Sequence, residues 1–328
     1  MQVVAGPQSA VPEATGGAPV WIALEDPDPE TLEEIGRELG LHPLAVQDSI
    51  DFGQIPKIED YPDSALVVFM GCTARMENGS ELPALIEVHF HVTREAIVSV
   101  QREPLGALAS ALERINLDDV NGSEDALYRA LEALAGSYSP PLAALDGEVD
   151  VIENRILKEP DSAVRRRLLD MKHSLVALRQ SLDRQRSVLA GHRDLLERIP
   201  GFHSEEAHDV LRDLYERIAL VSYQVETIRE LISNALDLYV SVSSQKLNET
   251  MKILTVVATF FLPLTFLVGF FGQNFKWMTD RIQDFGSFLV FGIGISVLFV
   301  AVLFAVFRRA GFIEGSGANR DGKRTRNR

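Results

Sequence analysis

The chain has 328 residues, 46% of them apolar and 24% charged, enough for two or three domains with cores of their own. A single cysteine, Cys72, excludes a disulfide framework and a cysteine-rich zinc site. The net charge of −15 is unevenly spread, with seven Lys/Arg against Glu314 and Asp321 in residues 308–328 and about −20 on residues 1–252, which argues against a nucleic-acid partner and suits either solubility or contact with cations.

In chain order, residues 1–18 lack the basic start and apolar run of a signal peptide and read as a flexible, small-residue leader. Residues 19–138 alternate β-rich runs (Ala65–Ala74, Ala84–Val92, Ala96–Gln101) with helical segments at 28–40, 43–50 and 104–135, the pattern of an α/β domain. His89 and His91 lie two apart on a predicted strand and share a face, but two imidazoles are too few for a closed zinc site. His203 and His208 are similarly scattered. The sequence carries no phosphate loop, nucleotide fingerprint or nucleophile–base arrangement, so it does not read as an enzyme.

Residues 139–252 read as a stalk of long antiparallel helices. One begins after Pro141 and stops near Pro160; the next runs from an N-cap at Asp161 or Ser162 to Pro200. Residues 202–262 then contain no glycine or proline. Within them Leu214, Ile218, Val221, Val225, Ile228, Ile232, Ala235, Tyr239 and Val242 fall at steps of four and three, the stripe of a helix buried along one face. Such a rod packs on its neighbours and also carries movement along its length.

Ile253–Gly272 and Phe285–Phe307 hold no charged side chain, and each has the ~20 residues a helix needs to cross a hydrocarbon core. Lys246 and Lys252 precede the first span, Arg308 and Arg309 follow the second, and the connector 273–284 balances Lys276 and Arg281 against Asp280 and Asp284. The positive-inside rule puts both termini in the cytoplasm and the connector outside. The basic tail 308–328 anchors the second span at an anionic lipid leaflet.

Two helices cannot enclose a pore, so a channel built from this chain is an oligomer. Asn248, Met251, Thr255, Ala258, Leu262, Thr265, Gly269 and Gly272 recur along one face of the first span, either for close helix packing or to line a conduit. In a conduit Asn248, Thr255 and Thr265 form polar rings, and Met251, Leu254 and Leu262 form constrictions that exclude water. The helix runs outward, so its last carbonyls point to the outer mouth and favour cations. Gly272 is expected to adopt a left-handed cap that exposes them, and Asn274 adds a neutral amide oxygen. Neutral oxygens accept hydrogen bonds from the water shell of an ion such as Mg²⁺, which dehydrates reluctantly. Pro263 inside the span either loosens the helix or is tolerated by its neighbours.

These segments are similar to the CorA-type magnesium transporters, the two-transmembrane GxN metal-ion transporter family. The resemblance runs from Trp21 to Arg309 and rests on "LGLHPLAVQDSI" (Leu39–Ile50), "PKIEDY" (Pro56–Tyr61) and "LNETMKILTVVATFFLPLTFLVGFFGQNF" (Leu247–Phe275). It implies a funnel-shaped homopentamer in the cytoplasmic membrane, with an α/β cytosolic domain, long stalk helices and two membrane helices. It also implies passage of hydrated Mg²⁺, with Co²⁺ or Ni²⁺, down the electrochemical gradient and without an organic cofactor. Gly272, Gln273 and Asn274 take the filter positions, with Gln273 where the family has Met and Phe271 where it has Tyr. The resemblance further nominates Asp213, in "LRDLYE", and Glu132 as carboxylates that bind a regulatory divalent ion between cytosolic domains. Two alternatives stand beside this reading: a zinc transporter of the same fold, and a membrane-anchored divalent sensor that does not conduct.

Overall fold

The computed structural model describes residues 2–5, 20–77, 79–117, 122–190, 199, 205–273, 275–280 and 285–309. It divides into two compact units, Met1–Tyr239 and Val240–Arg328.

The first unit is built on a six-stranded sheet in the order β1-β2-β6-β5-β4-β3. Its strands are β1 (Gln2–Ala5), β2 (Val20–Glu25), β3 (Lys57–Asp60), β4 (Ala65–Glu77), β5 (Ser80–Val92) and β6 (Ala96–Gln101). The pairs β1–β2 and β2–β6 are parallel, and the remaining pairs are antiparallel. Ala65–Cys72 of β4 is buried without interruption, as expected of a strand covered on both faces. β6 is buried throughout, and the Trp21 indole N–H donates to Ser99 Oγ at 3.0 Å, so the largest of the fully buried side chains leaves no unpaired donor. The leader differs from its sequence reading at one place: β-branched Val3 and Val4 lie in β1, which extends the sheet beyond β2.

Helices α1 (Pro29–Glu38) and α2 (Pro43–Asp51) follow β2, and α3 (Gly106–Leu117) and α4 (Gly122–Gly136) follow β6. β3 covers β4 only from Ala65 to Val68. Beyond that point side chains from α6 and from the turn between α4 and α5 take over from strand backbone: Gln185 Oε1 accepts from Met70 N at 3.3 Å, and Ser137 Oγ accepts from Cys72 N at 2.8 Å. Tyr138 Oη donates to Met70 O at 3.1 Å and accepts from Gln185 Nε2 at 3.1 Å. The backbone groups of a buried edge are thereby satisfied. Gly71 lies at the centre of this contact, where a Cβ would sit 2.4 Å from Leu105 Cδ2.

α5 (Ser139–Lys158) carries prolines in its first turn and ends before Pro160. α6 (Ser162–Leu189) is capped by Asp161, whose carboxylate accepts from Val164 N at 2.8 Å. Residues 191–198, to which the sequence reading extended this helix, lie outside the described residues. α7 runs from Glu205 to Phe271 as one helix, continuous through Pro263. Glu148 of α5 takes Arg167 of α6 in a two-bond pair of 2.5–2.7 Å. Lys172, Arg179 and Arg186 of α6 meet Ser233, Glu226 and Tyr215 of α7, descending one helix as they ascend the other. α6 thus runs antiparallel to both α5 and α7. The predicted α7 stripe from Leu214 to Ala235 is buried, and Tyr239 is half-buried.

In the second unit, α7 from Val240 onward is followed by the short helix α8 (Lys276–Thr279) and by α9 (Phe285–Arg309). α9 departs from the uniform helix expected of the second span: Phe288–Gly294 is wound as a π-helix, with the Ile295 N–H bonded to Val290 O. Gly292 and Gly294 lie within this segment and offer little steric resistance to the wider turn.

Candidate ion path and regulatory carboxylates

α7 and α9 are long and apolar enough to cross a membrane, and among the described residues neither span is buried. Within the hairpin, α7 presents two different faces. Val256, Thr259, Phe260, Pro263, Leu264, Leu267 and Phe271 are half-buried, and Phe260 meets Phe307 of α9 with ring centroids 5.6 Å apart. Asn248, Met251, Leu254, Thr255, Leu262, Thr265 and Gly269 are all exposed; Ala258 is the half-buried member of the predicted stripe. The face with the small and polar groups is therefore the one that α9 leaves open.

The threonine hydroxyls on this helix are already committed as donors. Thr255 Oγ1 donates to Met251 O at 2.8 Å and Thr265 Oγ1 to Phe261 O at 2.8 Å. Each hydroxyl then presents only oxygen lone pairs outward. A hydrated cation presents water hydrogens, which such oxygens can accept as hydrogen bonds.

At the outer end, Gly272 N donates to Val268 O at 2.9 Å and Gln273 N to Phe270 O at 3.3 Å. Both residues are exposed. The expected left-handed cap is not formed: among the described glycines, positive φ occurs at Gly40, Gly53 and Gly79 and not at Gly272. A Cβ at Gly272 would lie 3.1 Å from Val268 O, a tight contact that a shift of a few tenths of an ångström relieves. Asn274 lies outside the described residues.

Asp213 on α7 and Glu132 on α4 are brought together by Arg217. Its Nε donates to Asp213 Oδ2 at 2.6 Å, and its Nη2 lies 3.0 Å from Glu132 Oε1. Tyr128 Oη adds a bond to Asp213 Oδ2 at 2.9 Å. The Arg217 guanidinium, with help from Tyr128, holds the Asp213 carboxyl below its ordinary range. Burial, then the bond to Asp213, pushes the Tyr128 phenol up to about 12. The cluster borders an open cleft of about 610 Å³ that Arg114 and Arg129 also line. Sequence reading missed Arg217, although its spacing four residues beyond Asp213 is the helical ion-pair signal. Among the described residues no three His, Cys, Asp or Glu side chains converge on a metal-binding point.

Residues 16–309 match the family model described as CorA-like Mg2+ transporter protein. The cobalt/magnesium transport protein CorA of Thermotoga maritima is 29% identical over 304 residues, covering 90% of this chain and 85% of its own. The zinc transport protein ZntB of Yersinia enterocolitica is 23% identical over 301 residues, 88% of this chain and 86% of its own. Among solved structures, the CorA magnesium transporter from Methanocaldococcus jannaschii has the same fold, with a TM-score of 0.76 at 24% identity over 89% of this chain and 91% of that one. The α/β sheet, the long helix, the two apolar helices and a family match over most of the length converge: the chain belongs to the CorA-like Mg2+ transporter family, whose members move divalent cations and are not enzymes.

Proposed function

We propose that this chain assembles as a homopentamer in the cytoplasmic membrane, termini in the cytosol, and conducts hydrated Mg²⁺ down its electrochemical gradient. The observation that carries this reading is the open face of α7, with its outward-facing threonine oxygens at Thr255 and Thr265 and its constriction candidates Met251, Leu254 and Leu262. Five such faces around an axis alternate acceptor rings with water-excluding rings. Gly272, Gln273 and Asn274 form the outer filter, where neutral oxygens hold the water shell without stripping it. Co²⁺ and Ni²⁺ fit the same geometry, and the name of the Thermotoga maritima relative pairs cobalt with magnesium.

Regulation is assigned to Asp213 and Glu132. Mg²⁺ is usually held by one or two carboxylates and several waters, so this pair suffices in number once Arg217 releases it. Bound Mg²⁺ screens the mutual repulsion of acidic domains and holds the assembly closed; its loss lets the domains part.

Purified protein in liposomes with a Mg²⁺-sensitive dye tests the reading. Mg²⁺ entry that Asn274→Ala reduces at least tenfold supports it. Sealed vesicles favour a non-conducting sensor. Zinc transport is the second reading, favoured by the match to ZntB over most of both chains; Zn²⁺ entry without Mg²⁺ entry selects it.

A further inference from the structure

α2 is joined to the sheet through buried polar groups that no step of ion transport uses. Ser49 Oγ lies 2.8 Å from His89 Nδ1 and 2.8 Å from His91 Nε2. His89 Nε2 lies 2.6 Å from Glu87 Oε1. Ser49, His89 and His91 are at most 1% exposed. The same carboxylate anchors the turn after α2, accepting from Gly53 N and Gln54 N at 2.9 Å each. Phe52, in that turn, has φ 54°, a backbone conformation costly for a residue with a Cβ. Its ring lies against His89 at 4.7 Å and carries the Arg102 guanidinium at 4.6 Å.

With both rings neutral, the proton positions follow from donor counting. A carboxylate only accepts, so His89 Nε2 holds a proton and Nδ1 is an acceptor. The single Ser49 proton has two acceptors in reach, Ala45 O at 3.3 Å and His89 Nδ1 at 2.8 Å; the shorter contact takes it, which leaves His91 Nε2–H to donate to Ser49 Oγ. The chain runs His91 to Ser49 to His89 to Glu87, and its bonding capacity is used in that one direction. An extra proton on His91 meets little compensation. Asp48 is the acid that favours it, but Asp48 is paired with Lys57 at 2.6 Å, and His89 opposes it. Burial, then His89, pushes the His91 imidazole down to about 3.

We propose that α2 and the Phe52–Gln54 turn form an acid-released latch on the sheet: closed, it seals His91 away from water; open, it lets His91 take up a proton. In the open form the ring titrates near its ordinary value of about 6.5, and in the closed form it stays neutral. Below about pH 6.5 the open form therefore gains up to about tenfold in population for each unit of acidification. Burial works to raise the Glu87 carboxyl, but bonds from His89 and the Gln54 and Gly53 amides outweigh it and hold the group below its ordinary 4.5. Glu87 thus adds to release only at lower pH, and the interval between about 6.5 and 4.5 belongs to the histidine step.

Hydrogen exchange on the full-length protein at pH 7.5, 6.5 and 5.5, corrected for the intrinsic pH dependence of exchange, reads the latch directly. Protection over residues 43–54 is expected to fall by up to about tenfold between pH 6.5 and 5.5 while Ala65–Cys72 stays protected. His91→Gln, whose amide still donates to Ser49 Oγ, is expected to flatten that profile. Ser49→Ala is expected to lower protection of residues 43–54 already at pH 7.5, and it decides the matter if His91→Gln does not fold. A flat wild-type profile, an unchanged slope in His91→Gln, or unchanged protection in Ser49→Ala overturns the proposal.

Discussion

Arg217→Gln separates two roles for the guanidinium between Asp213 and Glu132: passive surface pairing, or occupation of a divalent site. The side chains involved are roughly half exposed, at 49% for Arg217, 46% for Asp213 and 37% for Glu132. Exposed pairs of this kind are worth about 0.2–1 kcal/mol each, so the two together resist displacement by about 0.4–2 kcal/mol. At 1.4 kcal/mol per tenfold, removing the competitor tightens Mg²⁺ binding by about 2- to 30-fold. Gln keeps length and a donor while removing the charge. Mg²⁺-dependent protection from proteolysis, titrated at constant ionic strength so that screening does not vary, measures the shift. The gain should vanish when Asp213→Asn is added. Binding equal to or weaker than wild type in Arg217→Gln refutes competition. An Asp213→Asn single variant with unaltered Mg²⁺ dependence rejects the site altogether.

Four further substitutions test the edge contact and the candidate ion path. Gly71→Ala puts a methyl against Leu105 Cδ2, Leu134 Cδ2 and Ser137 Oγ, and should cost about 1–3 kcal/mol, read as a lower melting temperature. Gln185→Leu leaves the Met70 N–H without its acceptor in a buried place, a loss of about 1–3 kcal/mol; an unshifted melt would mean the strand edge is satisfied some other way. Thr265→Val removes one outward oxygen per subunit and should slow Mg²⁺ entry by about 2- to 10-fold. Thr259→Val removes a hydroxyl bonded in the same way to Thr255 O but on the half-buried face, and should leave entry unchanged; equal effects from both would contradict the assignment of faces.

The parts of the fold that sequence reading found are those whose signal is local. β4, β5 and β6 announce themselves as runs of β-branched and aromatic residues, and Asp161 followed by an amphipathic run marks the start of α6. β3 escaped because "KIED" has no strand character of its own; its extended form comes from pairing with Ala65–Val68. β1 and β2 were missed as well, although "QVVA" and "VWIALE" carry the β-branched and aromatic signal themselves. Nor does any local pattern indicate that Ser137, Tyr138 and Gln185, from separate places in the chain, take over the edge of β4 where β3 stops.

At the candidate ion path the legible part was periodicity, and the illegible part was which face meets what. Steps of three and four picked out Asn248, Thr255 and Thr265, but only the position of α9 separates their face from that of Thr259 and Phe260. Gly272 marks the limit of reasoning from residue type. Glycine at a helix end suggests left-handed backbone, because that freedom is its commonest use there. The alternative use, leaving room, gives the same letter in the sequence. Here a Cβ would meet the Val268 carbonyl at 3.1 Å, a tight contact, while the Gly272 N–H closes the last turn onto that same carbonyl at 2.9 Å. A larger side chain at Gly272 is therefore expected to act by displacing backbone at the end of α7 by a few tenths of an ångström rather than by straining its dihedral angles.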